Sequence, residues 1–153
     1  MPVHVVFLCT GNICRSPMAE AIFKHQLAEA GLTSQITVDS CGTGGWHAGE
    51  APHPGTQRVL SEHRIAFDHR ARQVHRGDIA AEYLIAMDRD NLEGIRWLGE
   101  PSAEVKLLLD FVPELGLRDV PDPYVTGHFE ETYQLIEAGC KVLLAHVRQR
   151  EGL

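Results

Sequence analysis

Short apolar runs alternate with segments of helical periodicity along most of this sequence. The apolar runs are rich in β-branched residues and predict four strands, at residues 4–9, 36–40, 83–87 and 105–109. Elsewhere apolar residues recur every three or four positions and predict helices, at residues 17–30, 55–63, 89–99 and 129–147. Strands that alternate with helices predict an α/β fold, with a four-stranded parallel sheet covered by helices on both faces.

Capping residues mark the ends of the first predicted helix. Ser16 is the expected N-cap, Pro17 the first helical residue and Gly31 the C-cap. Two stretches rich in glycine and proline, residues 42–54 and 115–127, are predicted to be loops. No repeat, linker or low-complexity tract divides the chain, so we expect residues 1–153 to form a single domain.

Composition narrows the possible classes of protein. Apolar residues make up 44% and charged residues 23%, as in globular proteins. No apolar run is long enough to span a membrane, and the N-terminus lacks the features of a signal peptide. Four irregularly spaced cysteines favour a reducing compartment, which we take to be the cytoplasm. A net charge of -7 argues against nucleic acid as a partner, so an anionic ligand would need a local positive site.

The segment CTGNICRS, at residues 9–16, connects the first predicted strand to the first predicted helix. Ligands of parallel α/β sheets bind beyond the carboxyl ends of the strands, where a helix N-terminus presents free N–H groups. Gly11 and Asn12 both tolerate a positive φ, so this loop can turn its amides inward around an anion. No Gly-Lys-Ser/Thr follows the glycine, which excludes a nucleotide-binding P-loop.

Cys9, at the base of this loop, is a candidate nucleophile. The helix N-terminus, the loop amides and Arg15 would all favour its thiolate, and the Ser16 hydroxyl can donate to the sulfur. The planar guanidinium of Arg15 can hold two oxygens of a tetrahedral anion at once. A Cys-x(5)-Arg pair also arises by chance, in which case Cys9 is a buried strand residue and Arg15 a surface cation.

A thiolate attack on phosphorus needs a proton donor for the leaving oxygen. Asp122, in the sequence VPDPY, is the candidate, because Pro121 and Pro123 stiffen the backbone around its carboxyl group. An Asp-Pro pair can instead be a simple turn. Asp119 is the nearest alternative donor.

Four segments together resemble the low-molecular-weight protein tyrosine phosphatases: CTGNICRSPMAE near the N-terminus, DSCGTGGWH at 39–47, DHRARQV at 68–74 and DPY at 122–124. The resemblance implies Cys9 as nucleophile, Arg15 as phosphate clamp and Asp122 as general acid and then base. It also implies Ser16 as partner of the thiolate.

The resemblance implies further roles around the loop. Asn12, Ser40 and His69 match a hydrogen-bond network that supports the loop, and Trp46 and Tyr124 match the aromatic walls that hold a phenyl ring. Cys14 matches a second cysteine that can form a protective disulfide with Cys9. The predicted phosphate-binding set is completed by Thr10, Gly11 and Ile13. Val125 follows Tyr124 where many members carry a second aromatic residue.

No cofactor is expected. The histidine spacings match no zinc pattern, and Cys9 and Cys14 are too far apart for a Cys-x-x-Cys motif. The expected partner is a phosphotyrosine-containing protein or a small aryl phosphate, and the chain is expected to be a monomer or to self-associate weakly.

Three other functions stay open at this point. An arsenate reductase of the same fold would need relay cysteines in mid-chain, and none lies between Cys41 and Cys140. A protein arginine phosphatase carries Thr where this chain has Ile13, which favours phosphotyrosine here. A silent phosphotyrosine-binding module would have no use for Asp122 as a proton donor.

Overall fold

A computed structural model describes residues 2–153. Its centre is a four-stranded parallel sheet in the order β2-β1-β3-β4, as predicted. The strands are β1 Val3–Cys9, β2 Ile36–Gly42, β3 Tyr83–Ala86 and β4 Glu104–Leu107. The α-helices are α1 Arg15–Ala30, α2 Pro54–Glu62, α3 Arg89–Glu93, α4 Pro123–Thr126 and α5 Phe129–Glu151. Within residues 2–153, no helix is both long enough and apolar enough to cross a membrane.

Both faces of the sheet are covered. Alternate residues of β1 face opposite sides, so Val5 and Phe7 pack with α1, α2 and α5, whereas Val6 and Leu8 face the other layer. That second layer contains α3 and the 3₁₀ helices Asp78–Ala80 and Arg96–Leu98. Because β1 is a central strand with a neighbour on each side, Cys9 lies in the middle of the row formed by the carboxyl ends of the strands.

The start of α1 differs from the prediction. Cys14 occupies the N-cap position and Arg15 is the first helical residue, so Ser16 is not the cap and Pro17 is the third residue of the helix. The Ser16 hydroxyl is unavailable for capping because it lies 2.9 Å from Cys9 Sγ and accepts from Asn12 Nδ2. The predicted C-cap is confirmed, with Gly31 in the left-handed conformation at φ 70°.

Other boundaries were also predicted wrongly. The helix expected over 89–99 ends at Glu93, because Gly94 disfavours continuation, and resumes only as a short 3₁₀ turn. The fourth strand ends at Leu107, since Leu108 turns away from the sheet and packs against α5 at Gly139. The expected loop 115–127 contains α4, a single turn capped by the Asp122 carboxyl.

Candidate active site

The loop between β1 and α1 surrounds a cavity of about 170 Å³. Asn12 takes the left-handed conformation, with φ 57°, whereas Gly11 has no positive φ. Gly11 instead provides space, because a Cβ there would lie 2.9 Å from Cδ2 of His47. Of the two residues expected to tolerate a positive φ, only Asn12 adopts one.

Carbonyl groups of the loop accept hydrogen bonds from residues outside the loop. Four of them accept hydrogen bonds of 2.8–3.3 Å from the segments after β2 and at the start of α2. The acceptors are the carbonyls of Cys9, Thr10, Ile13 and Cys14, and the donors are the amides of Thr43, Gly44 and His53 and the Thr56 hydroxyl. Within residues 2–153, the amides of residues 11–14 donate to no other protein group. They are available to an anion.

Asn12 is fully buried and makes four contacts through its side chain. Its Nδ2 donates to Ser16 Oγ at 2.8 Å and to Ser40 Oγ at 3.0 Å. Its Oδ1 accepts from the Arg72 amide at 3.0 Å, and His69 Nε2, also at 3.0 Å, donates to it because a carbonyl oxygen can only accept. These contacts satisfy the buried amide and hold the left-handed backbone of Asn12 in place. The structure thus brings together Asn12, Ser40 and His69.

Two buried carboxylates behind the loop were missed by the sequence analysis. Glu20 Oε1 accepts from Ser40 Oγ at 2.6 Å, and Lys24 pairs with Glu20 at 2.6 Å. Asp78 binds Arg72 with both oxygens, at 2.8 and 2.9 Å. The backbone amide of Arg72 donates to Asn12 Oδ1. The ion pair between Arg72 and Asp78 therefore holds in place the residue that supports Asn12.

Arg15 is only 2% exposed, which excludes the surface-cation reading. Its Nη1 donates to Asp88 Oδ2 at 2.7 Å and to the Val120 carbonyl at 2.9 Å, while Nη2 reaches Thr10 Oγ1 at 3.3 Å. Asp122 Oδ2 lies 3.7 Å from Nη2. The guanidinium is therefore oriented before any ligand binds.

Cys9 lies at the base of the cavity, 2% exposed, beside the Ser16 hydroxyl. Burial by itself would lower the pKa of Arg15, but the charge of Cys9 and the hydrogen bond to Asp88 outweigh it and raise that pKa above its ordinary value. Cys14 is also buried, and burial together with the nearby Cys9 raises the pKa of its thiol to about 12. All four cysteines, including Cys41 and Cys140, are free thiols.

The two carboxyl oxygens of Asp122 have different partners. Oδ1 accepts from the Tyr124 amide at 3.1 Å, which caps α4, and Oδ2 faces Arg15 in the cavity. Asp119, the alternative donor, is held by Arg89, whose Nη2 lies 2.8 Å from Asp119 Oδ2 and whose amide donates to Oδ1 at 3.0 Å. Asp119 does not line the cavity, so Asp122 is the carboxyl group in reach of a bound substrate.

Two exposed aromatic residues flank the mouth of the cavity. Trp46 is 71% exposed and Tyr124 60%. The Trp46 indole packs directly against Gly44, where an added Cβ would be 2.0 Å from the ring, so only a glycine leaves room for it there. His47 also lines the cavity and was missed, although it directly follows Trp46 in the segment DSCGTGGWH.

The structure places every residue of the predicted phosphate-binding set around this loop. Most of them line the cavity itself: Cys9, Thr10, Gly11, Ile13, Cys14, Arg15, Trp46, Asp122 and Tyr124. Asn12 and Ser16 are fully buried behind it. Asp88, the partner of Arg15, directly precedes the helix predicted over 89–99 and was not predicted as a site residue, although the strand before it ends beside β1 and this placement could have revealed it.

Comparison with known proteins agrees with this geometry. The family described as "Low molecular weight phosphotyrosine protein phosphatase" matches residues 4–152. The chain belongs to this family. The low-molecular-weight phosphatases similar to it include the protein-tyrosine-phosphatase YfkJ of Bacillus subtilis, 48% identical over 99% of both chains.

Solved structures of low-molecular-weight phosphatases share the fold. The crystal structure of YfkJ has a TM-score of 0.94 at 48% identity and covers 98% of this chain and 97% of its own. A Drosophila arginine phosphatase has a TM-score of 0.87 at 31% identity, covering 94% of this chain and 97% of its own. Likeness of fold alone therefore does not separate phosphotyrosine from phosphoarginine.

Proposed function

We propose that this chain hydrolyses phosphotyrosine through a phosphocysteine intermediate. The proposal rests on one arrangement, in which Cys9, Arg15 and Asp122 Oδ2 meet in a single cavity whose loop amides are free. Arg15 and the amides hold the phosphoryl oxygens, and they stabilise the charge that these oxygens carry in the transition state. No metal is needed for this chemistry. Within residues 2–153, no group of three or more His, Cys, Asp or Glu side chains could hold one.

The reaction proceeds in two displacements. The Cys9 thiolate attacks phosphorus while the bond to the tyrosine oxygen breaks, and Asp122 gives its proton from Oδ2 to the leaving phenolate. In the second step the Asp122 carboxylate takes a proton from a water molecule whose oxygen attacks phosphorus. The S–P bond then breaks, inorganic phosphate leaves and the thiolate is regenerated.

Aromatic walls favour an aryl substrate. A phenyl ring between Trp46 and Tyr124 would place its phosphate within reach of Cys9, whereas phosphoserine and phosphothreonine are too short to use these walls. Ile13 lines the same cavity and is 8% exposed, so it offers an apolar contact and no hydroxyl to a polar guanidinium. We therefore propose a preference for phosphotyrosine over phosphoarginine.

The remaining alternatives have less support. An arsenate reductase would need further accessible thiols, but Cys41 and Cys140 are both fully buried. A binding module would not need Asp122 directed into the cavity. We further propose that residues 1–153 act as one catalytic domain, monomeric or weakly self-associating, on a phosphoprotein or a small aryl phosphate. Four free thiols suit the reducing cytoplasm.

The decisive experiment compares phosphotyrosine, phosphoserine and phosphoarginine peptides of one sequence. Wild type should prefer phosphotyrosine, and Cys9→Ser should abolish turnover while inorganic phosphate still binds. Arg15→Lys should also be severely impaired, since an ammonium group cannot replace the two-pronged guanidinium. Cys140→Ser, in the core between α1 and α5, is the matched control and should stay active. If wild type hydrolyses phosphoarginine as fast as phosphotyrosine, the proposal is wrong and the chain is an arginine phosphatase. Ile13→Thr should lower the ratio of phosphotyrosine to phosphoarginine turnover.

A further inference from the structure

His53 lies where the phosphate loop, α2 and the pocket wall meet. Its backbone amide donates to the Ile13 carbonyl at 2.8 Å, and its ring Nδ1 accepts from the Gly55 amide at 2.9 Å. Since Nδ1 is the acceptor that caps α2, the ring proton is on Nε2. This hydrogen bond connects the ring to the start of α2.

The ring of His53 packs between two other aromatic rings. It is stacked on Phe129, the first residue of α5, with centroids 5.0 Å apart and an interplanar angle of 21°. It meets Tyr124 edge-on, with centroids 5.8 Å apart at 77°. An added Cβ at Gly55 would lie 2.5 Å from the Phe129 ring, so the start of α2 lies directly against Phe129. His53 therefore connects the core of the molecule to Tyr124.

Tyr124 is largely exposed at the mouth of the cavity. It is 60% exposed and belongs to a helix of only four residues. Its aromatic neighbours within residues 2–153 are His53 and the more distant, tilted His47, at 6.3 Å. Of these two aromatic contacts, the one with His53 is the closer, and it joins Tyr124 to the core through Phe129.

We propose that His53 is a positioning residue that fixes the Tyr124 wall and thereby sets the affinity for the aryl group of the substrate. The inference rests on the proposed function, because it requires Tyr124 to contact a phenyl ring. His53 itself does not line the cavity, so it acts through Tyr124 and not on the phosphate.

Two variants separate the two roles of the side chain. His53→Asn keeps an acceptor suited to capping α2 but removes the ring, whereas His53→Phe keeps a ring but removes the acceptor. For His53→Asn we expect the KM for phosphotyrosine to rise about three- to tenfold, the range that one aromatic contact supports, with kcat within about twofold. The inhibition constant of inorganic phosphate, which has no ring, should not change. His53→Phe should keep a KM close to that of wild type despite a lower melting temperature.

A double-mutant cycle completes the test. In a Tyr124→Ala background, His53→Asn should raise KM no further, because the wall it positions is gone. An unchanged KM in the Asn variant, a KM effect that persists without Tyr124, or a parallel loss of phosphate affinity would each overturn the proposal. The last result would mean that His53 acts on the loop through Ile13. Wild type that turns over no phosphotyrosine would instead contradict the proposed function.

Discussion

Asp122 shows how one side chain can serve two purposes. Its Oδ1 caps α4 and its Oδ2 faces Arg15, so replacement by alanine would disturb both the proton supply and the Tyr124 wall. Asparagine keeps an oxygen for the cap and removes only the acidic proton, which makes Asp122→Asn the cleaner variant.

We predict that Asp122→Asn lowers kcat/KM for phosphotyrosine by about 10²-fold or more, the usual effect of losing a general acid, because kcat/KM reports the first displacement, in which the tyrosine oxygen leaves. The loss should shrink for p-nitrophenyl phosphate, whose leaving group hardly needs a proton. Asp119→Asn is the control and should change kcat/KM little, because Asp119 is bound to Arg89. Steady-state rates over a series of leaving groups check this. Equal losses across the series would point back to Asp119.

Cys14 is predicted to protect Cys9 from oxidation. Burial and the charge of Cys9 raise the pKa of Cys14 to about 12, so at neutral pH Cys14 is a thiol. Peroxide converts the Cys9 thiolate to an uncharged sulfenic acid, and this removes the part of the pKa shift that Cys9 causes. The Cys14 sulfur then displaces hydroxide from the sulfenic sulfur, giving a disulfide and water.

Wild type treated with peroxide should therefore recover its activity in dithiothreitol, whereas Cys14→Ser should recover much less. Recovery is measured as turnover of p-nitrophenyl phosphate before oxidation, after it and after reduction. Cys41→Ser serves as the control, since Cys41 is buried and its thiol donates to the Phe7 carbonyl. Equal recovery of wild type and Cys14→Ser would rule out this protection.

At the scale of elements, the sequence predicted the order of strands and helices because short apolar runs mark the buried strands and apolar residues three or four positions apart mark the helices. Boundaries were less accurate where tertiary contacts override local preference. Ser16 has the chemistry of an N-cap, yet Cys9 and Asn12 engage its hydroxyl. In the same way, the loop pattern and the family resemblance predicted the motif residues of the site. The contacts of Glu20 with Ser40 and of Arg72 with Asn12 were not predicted, because neither the pattern nor the resemblance pointed to them.

Gly42, at the end of β2, is predicted to be essential for the loop. A Cβ there would lie 2.8 Å from the Thr10 carbonyl oxygen and 3.0 Å from the Asn12 nitrogen, and backbone atoms cannot give way cheaply. Gly42→Ala should lower kcat/KM by about 10- to 100-fold, as expected for a displaced catalytic loop, and weaken inhibition by phosphate. At Gly45 the nearest atom is the flexible end of Gln73, so Gly45→Ala is the control. Full activity of Gly42→Ala would show that the loop adapts.

At the scale of the whole molecule, a net charge of -7 surrounds a site that binds an anion. Long-range repulsion then slows the approach of a phosphorylated substrate, and salt screens it. We predict that kcat/KM for phosphotyrosine rises by up to about threefold between ~10 and ~150 mM NaCl. A phosphotyrosine peptide rich in lysine should show the opposite trend, which serves as the control. A fall with salt for free phosphotyrosine would contradict this picture.

The hydrogen bonds that shape the phosphate loop also bear on how the protein folds. The Cys14 carbonyl accepts from the Thr56 hydroxyl, 42 positions away in sequence, and Asn12 Oδ1 accepts from the Arg72 amide, 60 positions away. Contacts of such high sequence separation form only after long stretches of chain have been ordered. The anion-binding loop should thus assemble late, after β2, α2 and the Arg72 segment are in place. Partly folded chains would then bind no phosphate, and a phosphate analogue would report on completed folding.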